Sequence, residues 1–176
     1  ISENVLKAVE EMGYTELTPI QAQAIPAVLS GRDVIGQAQT GTGKTAAFGI
    51  PAIEHVDADN RTTQVLILCP TRELALQVKE QITLLAKHKK GLLVTAIYGG
   101  ESYDRQFANL KRGTQIVVGT PGRVMDHIDR KTLKLDNISM VVLDEADEML
   151  NMGFKDDIDT IVGHINEKSI KWLFSA

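Results

Sequence analysis

Apolar residues in this chain come in short, unbroken runs. DVIGQA (33–38), QVLILC (64–69), LLVTAIY (92–98), QIVVG (115–119), MVVLD (140–144) and IKWLFS (170–175) alternate with segments whose apolar residues recur three or four apart. Near-continuous hydrophobicity, without the polar residue at every second position that a solvent-facing strand would show, predicts strands buried on both faces, as in a parallel sheet. The segments between them predict helices over residues 44–56, 72–87, 102–110 and 122–129, then two short ones after residue 144. The expected class is α/β: a mostly parallel, twisted sheet with helices on both faces, forming one lobe over residues 1–176. Ahead of the first strand, Ser2 as N-cap and Gly13 as stop frame one helix, and Pro19 opens a second that runs to about Ser30. Residues 1–31 are therefore read as a helical elaboration of the sheet domain. VDADNRTT and TLKLDN read as surface loops.

Composition narrows the class. With 176 residues of which 43% are hydrophobic, the chain can bury one sizeable core. No run approaches the roughly eighteen apolar residues of a membrane span, so no membrane partner is expected. The start, ISENVLKAVEE, lacks the basic and then apolar pattern of a secretory signal. The one cysteine, Cys69, lies inside an apolar run and reads as a core thiol, which fits a reducing cytoplasm. The net charge of −4 argues against a general polyanion binder, but residues 72–131 hold eleven lysines and arginines against six acids. This excess is equally compatible with ordinary solvated helix faces.

The chemistry begins at AQTGTGKT, which follows a predicted strand and opens a predicted helix. In that context glycines let backbone N–H groups wrap a phosphate at a helix N-terminus, the arrangement of a Walker A loop. Ala38, Gln39, Thr40, Gly41, Thr42 and Gly43 would form the cradle, with Ala38 standing where the pattern has glycine. Lys44 would reach the β- and γ-phosphates, and Thr45 would place its hydroxyl on Mg2+. In MVVLDEAD an apolar strand ends in acids, so Asp144 emerges at the carboxyl edge of the sheet, where it can hold Mg2+ through water. Glu145 is placed to orient an attacking water or take its proton. Asp147 can also serve simply as a favourable charge in the first turn of the next helix. In GYTELTPIQ, the Gln21 amide carries the donor and acceptor that adenine N6 and N7 require, although alone it reads as a surface residue near a helix start.

Taken together with PTRELA (70–75), the doublet Gly99–Gly100, TPGR (120–123) and the terminal Ser175–Ala176, these segments resemble the first RecA-like lobe of a DEAD-box RNA helicase, a P-loop NTPase fold. They stand in the family's order and span nearly the whole chain. The wording of DEADEMLNMGF and GQAQTGTGKTAAFGIP is most similar to bacterial members. The resemblance implies ATP and Mg2+ as cofactors, RNA bound through its backbone without sequence preference, and local duplex unwinding or remodelling of RNA–protein complexes coupled to hydrolysis. It implies that Gln21 contacts adenine with Tyr14 and Thr18 nearby, and that Asp147 couples to Ser175 and Ala176. It implies that Pro70, Thr71, Arg72, Gly99, Gly100, Thr120, Pro121, Gly122 and Arg123 form the RNA face. Local structure asks for several of these residues as well. Thr71 suits a helix N-cap, Gly99–Gly100 a turn, and Thr120–Pro121 a helix start with proline in its first turn.

Two departures from the family pattern bear on function. An adenine-stacking aromatic upstream of Gly13 is missing, as is the threonine that usually completes the Ser175–Ala176 motif. The resemblance also implies a second RecA-like lobe as partner, so this lobe is expected to be inactive alone. A DNA-acting ATPase and a nucleotide-gated platform for RNA or protein are the open alternatives.

Overall fold

The computed structural model describes residues 34–37 and 44–175, with residues 3, 4 and 7, which are helical. The remainder of the two helices expected at the N-terminus, Tyr14, Thr18, Gln21, the segment 38–43 and Ala176 lie outside the described residues.

Each apolar run becomes a strand. They are β1 (Val34–Gln37), β2 (Val65–Leu68), β3 (Val94–Ile97), β4 (Ile116–Gly119), β5 (Met140–Leu143) and β6 (Ile170–Ser175). The helices between them are α1 (Lys44–His55), α2 (Arg72–Leu85), α3 (Tyr103–Lys111), α4 (Pro121–Asp129), α5 (Ala146–Asn151) and α6 (Lys155–Gly163). All pairings are parallel, in the order β1-β6-β5-β2-β4-β3, so the sheet expected from the unbroken apolar runs is present.

Alternation within each strand splits the core into two layers. Val65, Ile67, Ile116, Val118, Met140, Val142, Trp172 and Phe174 point toward α1 and α2. Leu66, Leu68, Val117, Val141 and Leu143 point to the opposite face, where Val124 of α4, Met149 of α5 and Ile158 and Ile161 of α6 cover them. The central strands β2, β4 and β5 are buried on both faces, which is why they lack polar residues.

The ends of the elements are fixed by specific partners. Helix α2 stops at Leu85, two residues before the pattern suggested, because the chain turns there toward β3 and Ala86 N–H closes onto Ile82 and Leu84 carbonyls. In that turn the half-buried Lys89 donates to the carbonyls of Ile53 (2.6 Å) and Val56 (2.7 Å), satisfying the acceptors that the end of α1 leaves open. At the amino edge of the sheet, two buried glutamines pin the loops. Gln115 accepts from Leu93 N–H and donates to Ala58 and Gly91 carbonyls, while Gln64 accepts from Asp57 N–H and donates to Asp57 and Asn60 carbonyls. Both stand just ahead of apolar runs, and the hydrophobic pattern gave no sign of their role.

Gly119 is required by packing. A Cβ there would sit 2.6 Å from Val124 Cγ2 and 2.8 Å from Ile97 Cγ1, where β4 hands over to α4. Gly119→Ala is expected to destabilise the domain by about 1–3 kcal/mol, the usual range for overpacking. Urea titration reads this directly, and an unchanged midpoint would show that α4 yields freely.

Candidate nucleotide site and nucleic-acid interface

A parallel sheet delivers every strand end to one edge. Residues 68, 119 and 143 are level in register, so the segments that follow them emerge side by side. The ladder continues one step past the strands: Asp144 N–H donates to Leu68 O (2.9 Å), Cys69 N–H to Gly119 O (2.9 Å) and Thr120 N–H to Ile97 O (3.1 Å). Asp144, the PTRELA segment, the TPGR segment and the glycine doublet after Tyr98 thus share the carboxyl edge, the ligand-binding edge of open α/β sheets.

At this edge Lys44, the first residue of α1, meets Asp144. Nζ lies 3.0 Å from Oδ1, and the two side chains are 5% and 0% exposed. Apart from each other and the Glu145 backbone N–H that approaches the carboxylate, the ammonium and both carboxylate oxygens have no hydrogen-bond partner among the described residues. Burial pushes the Asp144 carboxyl above the ordinary carboxylate range, and Lys44 opposes that shift. A buried pair with few further hydrogen bonds does little for stability, because its desolvation is hard to offset. Its donor set suits a ligand instead: Lys44 can hold a phosphate, while Asp144 and the partly buried Thr45 offer the oxygen ligands a hard cation takes.

Glu145 follows in a left-handed backbone conformation, φ 53° and ψ 51°. For a residue with a Cβ this costs about 1–2 kcal/mol, and such strain clusters at functional sites. Burial raises its carboxyl above the usual range; Lys44 opposes this, and Asp144, Asp147 and Glu148 add to it. Asp147 is exposed in the first turn of α5, which favours its charge. The Ser175 side chain lies outside the described residues. Cys69 is fully buried, and burial beside Asp144 and Glu145 pushes its thiol well up, so it is the inert core thiol expected.

The residues expected to face RNA converge around the glycine doublet. Thr71 caps α2 by accepting from Leu74 N–H (3.2 Å), which leaves its own hydroxyl proton free. Arg72 lies over the Tyr98 ring, 5.1 Å from its centre, with its guanidinium beside Gly100. Thr120 starts α4 without a side-chain cap bond, and Pro121 is in the first turn as expected. Pro70 and Pro121 are buried, so their rings shape the turns. Gly99 and Gly122 are exposed, and a Cβ on either would meet nothing within 4 Å among the described residues, whose packing does not require glycine there. Arg123 is engaged internally: Nη1 donates to Glu101 O and Gln106 Oε1, both at 3.2 Å, and Nε lies 3.9 Å from Asp126.

Arg123 enters a buried network that the sequence reading missed. Gln106 is fully buried and donates to Tyr98 O (2.8 Å), which leaves its Oε1 as the acceptor for both Arg123 and His127 Nε2. His127 must therefore carry its proton on Nε2 and accept at Nδ1 from the Thr132 hydroxyl, 2.7 Å away. Tyr103 stacks on the imidazole at 4.5 Å and bonds Thr132 through its phenol. The segment after the glycine doublet is thereby fixed to the helix that carries TPGR. A glutamine and a histidine on amphipathic helices carry no motif, so only their burial reveals them.

A doubly wound parallel sheet with a helix-opening lysine paired to a buried strand-end aspartate defines a RecA-like P-loop NTPase lobe. The family model for DEAD/DEAH box helicases matches residues 18–176, and the chain belongs to that family. It is 53% identical to the DEAD-box ATP-dependent RNA helicase CshA of Bacillus cereus over all 176 residues, and 56% identical to the ATP-dependent RNA helicase CshA of Limosilactobacillus reuteri. It covers 33% and 35% of those proteins, so it spans about a third of the length of the curated relatives it matches. Among solved structures, a DEAD box protein from the hyperthermophile Methanococcus jannaschii superimposes with a TM-score of 0.95 at 46% identity, over all of this chain and 48% of that one. A hypothetical ATP-dependent RNA helicase from Sulfolobus tokodaii gives 0.92 at 38% identity, over all of this chain and 51% of that one.

The His127 network makes stability pH-dependent. Burial, then the nearby Arg123, lower the imidazole from its ordinary 6.5 to about 4. Between those values the unfolded chain binds more protons than the folded one, so stability falls as pH drops from 6.5 toward 4 and is indifferent to this group above 6.5. Urea midpoints across that window should decline in the wild type and decline less in His127→Gln. Parallel profiles would remove the imidazole as the cause.

Proposed function

We propose that this chain is the ATP-binding lobe of an ATP-dependent RNA helicase, in which ATP and RNA together close this lobe against a second one and hydrolysis reopens the cleft. The observation that carries the reading is the buried Lys44–Asp144 pair at the carboxyl edge of the sheet, whose charges have no other well-formed side-chain hydrogen bonds among the described residues. Lys44 would take the terminal phosphates, while Thr45 and Asp144 would hold Mg2+. Bound Mg2+ supplies charge neutralisation on the phosphate oxygens. Glu145 orients the attacking water, with its raised proton affinity suiting a base. Gln21, with Tyr14 and Thr18, reads the adenine. Thr71, Arg72, Gly99, Gly100, Thr120, Gly122 and Arg123 hold the RNA backbone, and Asp147 couples hydrolysis to Ser175 and Ala176. Membership of a family whose relatives are named ATP-dependent RNA helicases supports this over a DNA-acting ATPase. Among the described residues no helix is long and apolar enough to cross a membrane, and we place the protein in the cytoplasm.

In the full-length protein, Glu145→Gln is expected to keep ATP and RNA binding while kcat falls by about 100-fold or more. Lys44→Ala should weaken nucleotide binding itself. Asp144→Asn should act as a metal defect that added Mg2+ partly relieves. A kcat within a few-fold of wild type for Glu145→Gln would take Glu145 out of the chemistry.

Gly122 gives a separate test. Because an added methyl group meets only open space and glycine is a poor helix former, Gly122→Ala should leave stability equal or higher by up to about 1 kcal/mol. RNA affinity should drop, since the methyl fills the space an RNA backbone needs. Unaltered affinity would move the RNA away from this turn.

A further inference from the structure

Positive charge also lines a face that the proposed site does not use. Strand β3 closes one end of the sheet, and no strand pairs with its outer edge among the described residues. A cleft of about 270 Å³ lies over that edge, beginning at Tyr98 and Glu101 beside the glycine doublet. Its wall is α3 and the Arg112 that caps its end; Arg105, Asn109 and Arg112 enter at intervals of four and three residues and so share one helical face, and Lys79 of α2 faces them. Arg112 also lines a second cleft, of about 560 Å³, at the amino edge of the sheet. There Arg61, Lys111, Lys131 and Lys134 surround a single acid, Asp136, and Phe107 is 39% exposed. Arg61, Arg105, Lys111, Arg112, Lys131 and Lys134 are exposed, and none forms an ion pair among the described residues.

The floor of the second cleft is rigid. Gly113, at φ +90°, lies so close to Arg61 that a Cβ would be 2.8 Å from its carbonyl, and Gln64 and Gln115 pin the neighbouring loops. Unpaired cations held at fixed spacing on a built surface attract a polyanion, and an exposed aromatic among them offers a stacking platform for a base.

We infer that the outer edge of this lobe is a second RNA track, along which single-stranded RNA leaving the glycine-doublet turn passes the Arg105–Arg112 face of α3 into the amino-edge cleft. The inference rests on the helicase reading, because continuity with the proposed RNA face is what favours RNA over an acidic protein segment. The track binds phosphates without reading sequence and lengthens the RNA footprint beyond the core site.

The test compares the full-length protein with two charge-reversed variants, Arg105→Glu/Arg112→Glu and Lys131→Glu/Lys134→Glu, using single-stranded RNAs of about six and about twenty nucleotides in fluorescence anisotropy. Both variants should lose about tenfold in affinity for the long RNA, with a salt slope flatter by about 0.7 per lost phosphate contact. Affinity for the short RNA, and its stimulation of ATP turnover, should stay as in the wild type. The neutral pair Arg105→Gln/Arg112→Gln should show a smaller loss in the same direction. Equal losses for both lengths, or none for either, would overturn the track while leaving the helicase reading standing. Loss of binding to a polyglutamate peptide with unchanged RNA affinity would assign the surface to an acidic segment instead. A wild type that binds neither RNA overturns the functional reading, and the track with it.

Discussion

All six strands run in one direction, and that constraint decides where chemistry can occur. A parallel connection must carry the chain back over a face of the sheet before the next strand begins, so every strand ends at the same edge. Segments scattered over a hundred residues of sequence, from Lys44 to Asp144, become neighbours because each follows a strand of this sheet. The opposite edge collects the strand beginnings, where Gln64 and Gln115 hold the loops and no nucleotide motif lies.

At the shared edge, the sequence accepts features that folding alone disfavours. Two opposite charges are buried at Lys44 and Asp144, and among the described residues few hydrogen bonds beyond their own pairing offset the desolvation. The next residue, Glu145, is held in a left-handed conformation that glycine would adopt without strain. Gly122 occupies the first turn of a helix although none of the described residues fills the space beside it. Gly119 makes the contrast plain, since there the chain's own side chains demand the missing Cβ. Costs that packing does not explain, gathered on one edge, point to a ligand.

The strands were legible because a sheet covered on both faces removes polar residues, and a run such as VLIL has few other places to go. The helix start at Thr71 was legible from capping chemistry, and the one after Thr120 from the proline in its first turn. Lys44 and Asp144 were legible because each stands at a strand–helix junction that phosphate chemistry makes recognisable. What stayed hidden depends on three-dimensional partners. Gln106 and His127 look like ordinary helix residues until the fold buries them against each other, and the reach of Lys89 to the end of α1 spans 36 residues at Ile53. Arg123 was read as open to RNA, yet its guanidinium already bonds Glu101 and Gln106.

That engagement changes how Arg123 can act without removing its charge from the edge. Both acceptors at hydrogen-bond distance are neutral, a backbone carbonyl and an amide oxygen, and the one carboxylate nearby, Asp126, is 3.9 Å away and largely exposed. An arginine bound to neutral oxygens is oriented but not neutralised, and an anionic oxygen makes a bond roughly twice as strong as either of its present ones. Gln106 fixes the position from which that charge is offered, because its amide is itself held by Tyr98 O and its Oε1 is shared with His127. Arg72 is steadied in a comparable way on the other side of the doublet, over the ring of Tyr98. Tyr98 therefore anchors both cations, one through its ring and the other through its carbonyl. The spacing of positive charge around Gly99–Gly100 is set by the fold before any anion arrives, which is the preorganisation that backbone recognition without sequence reading requires.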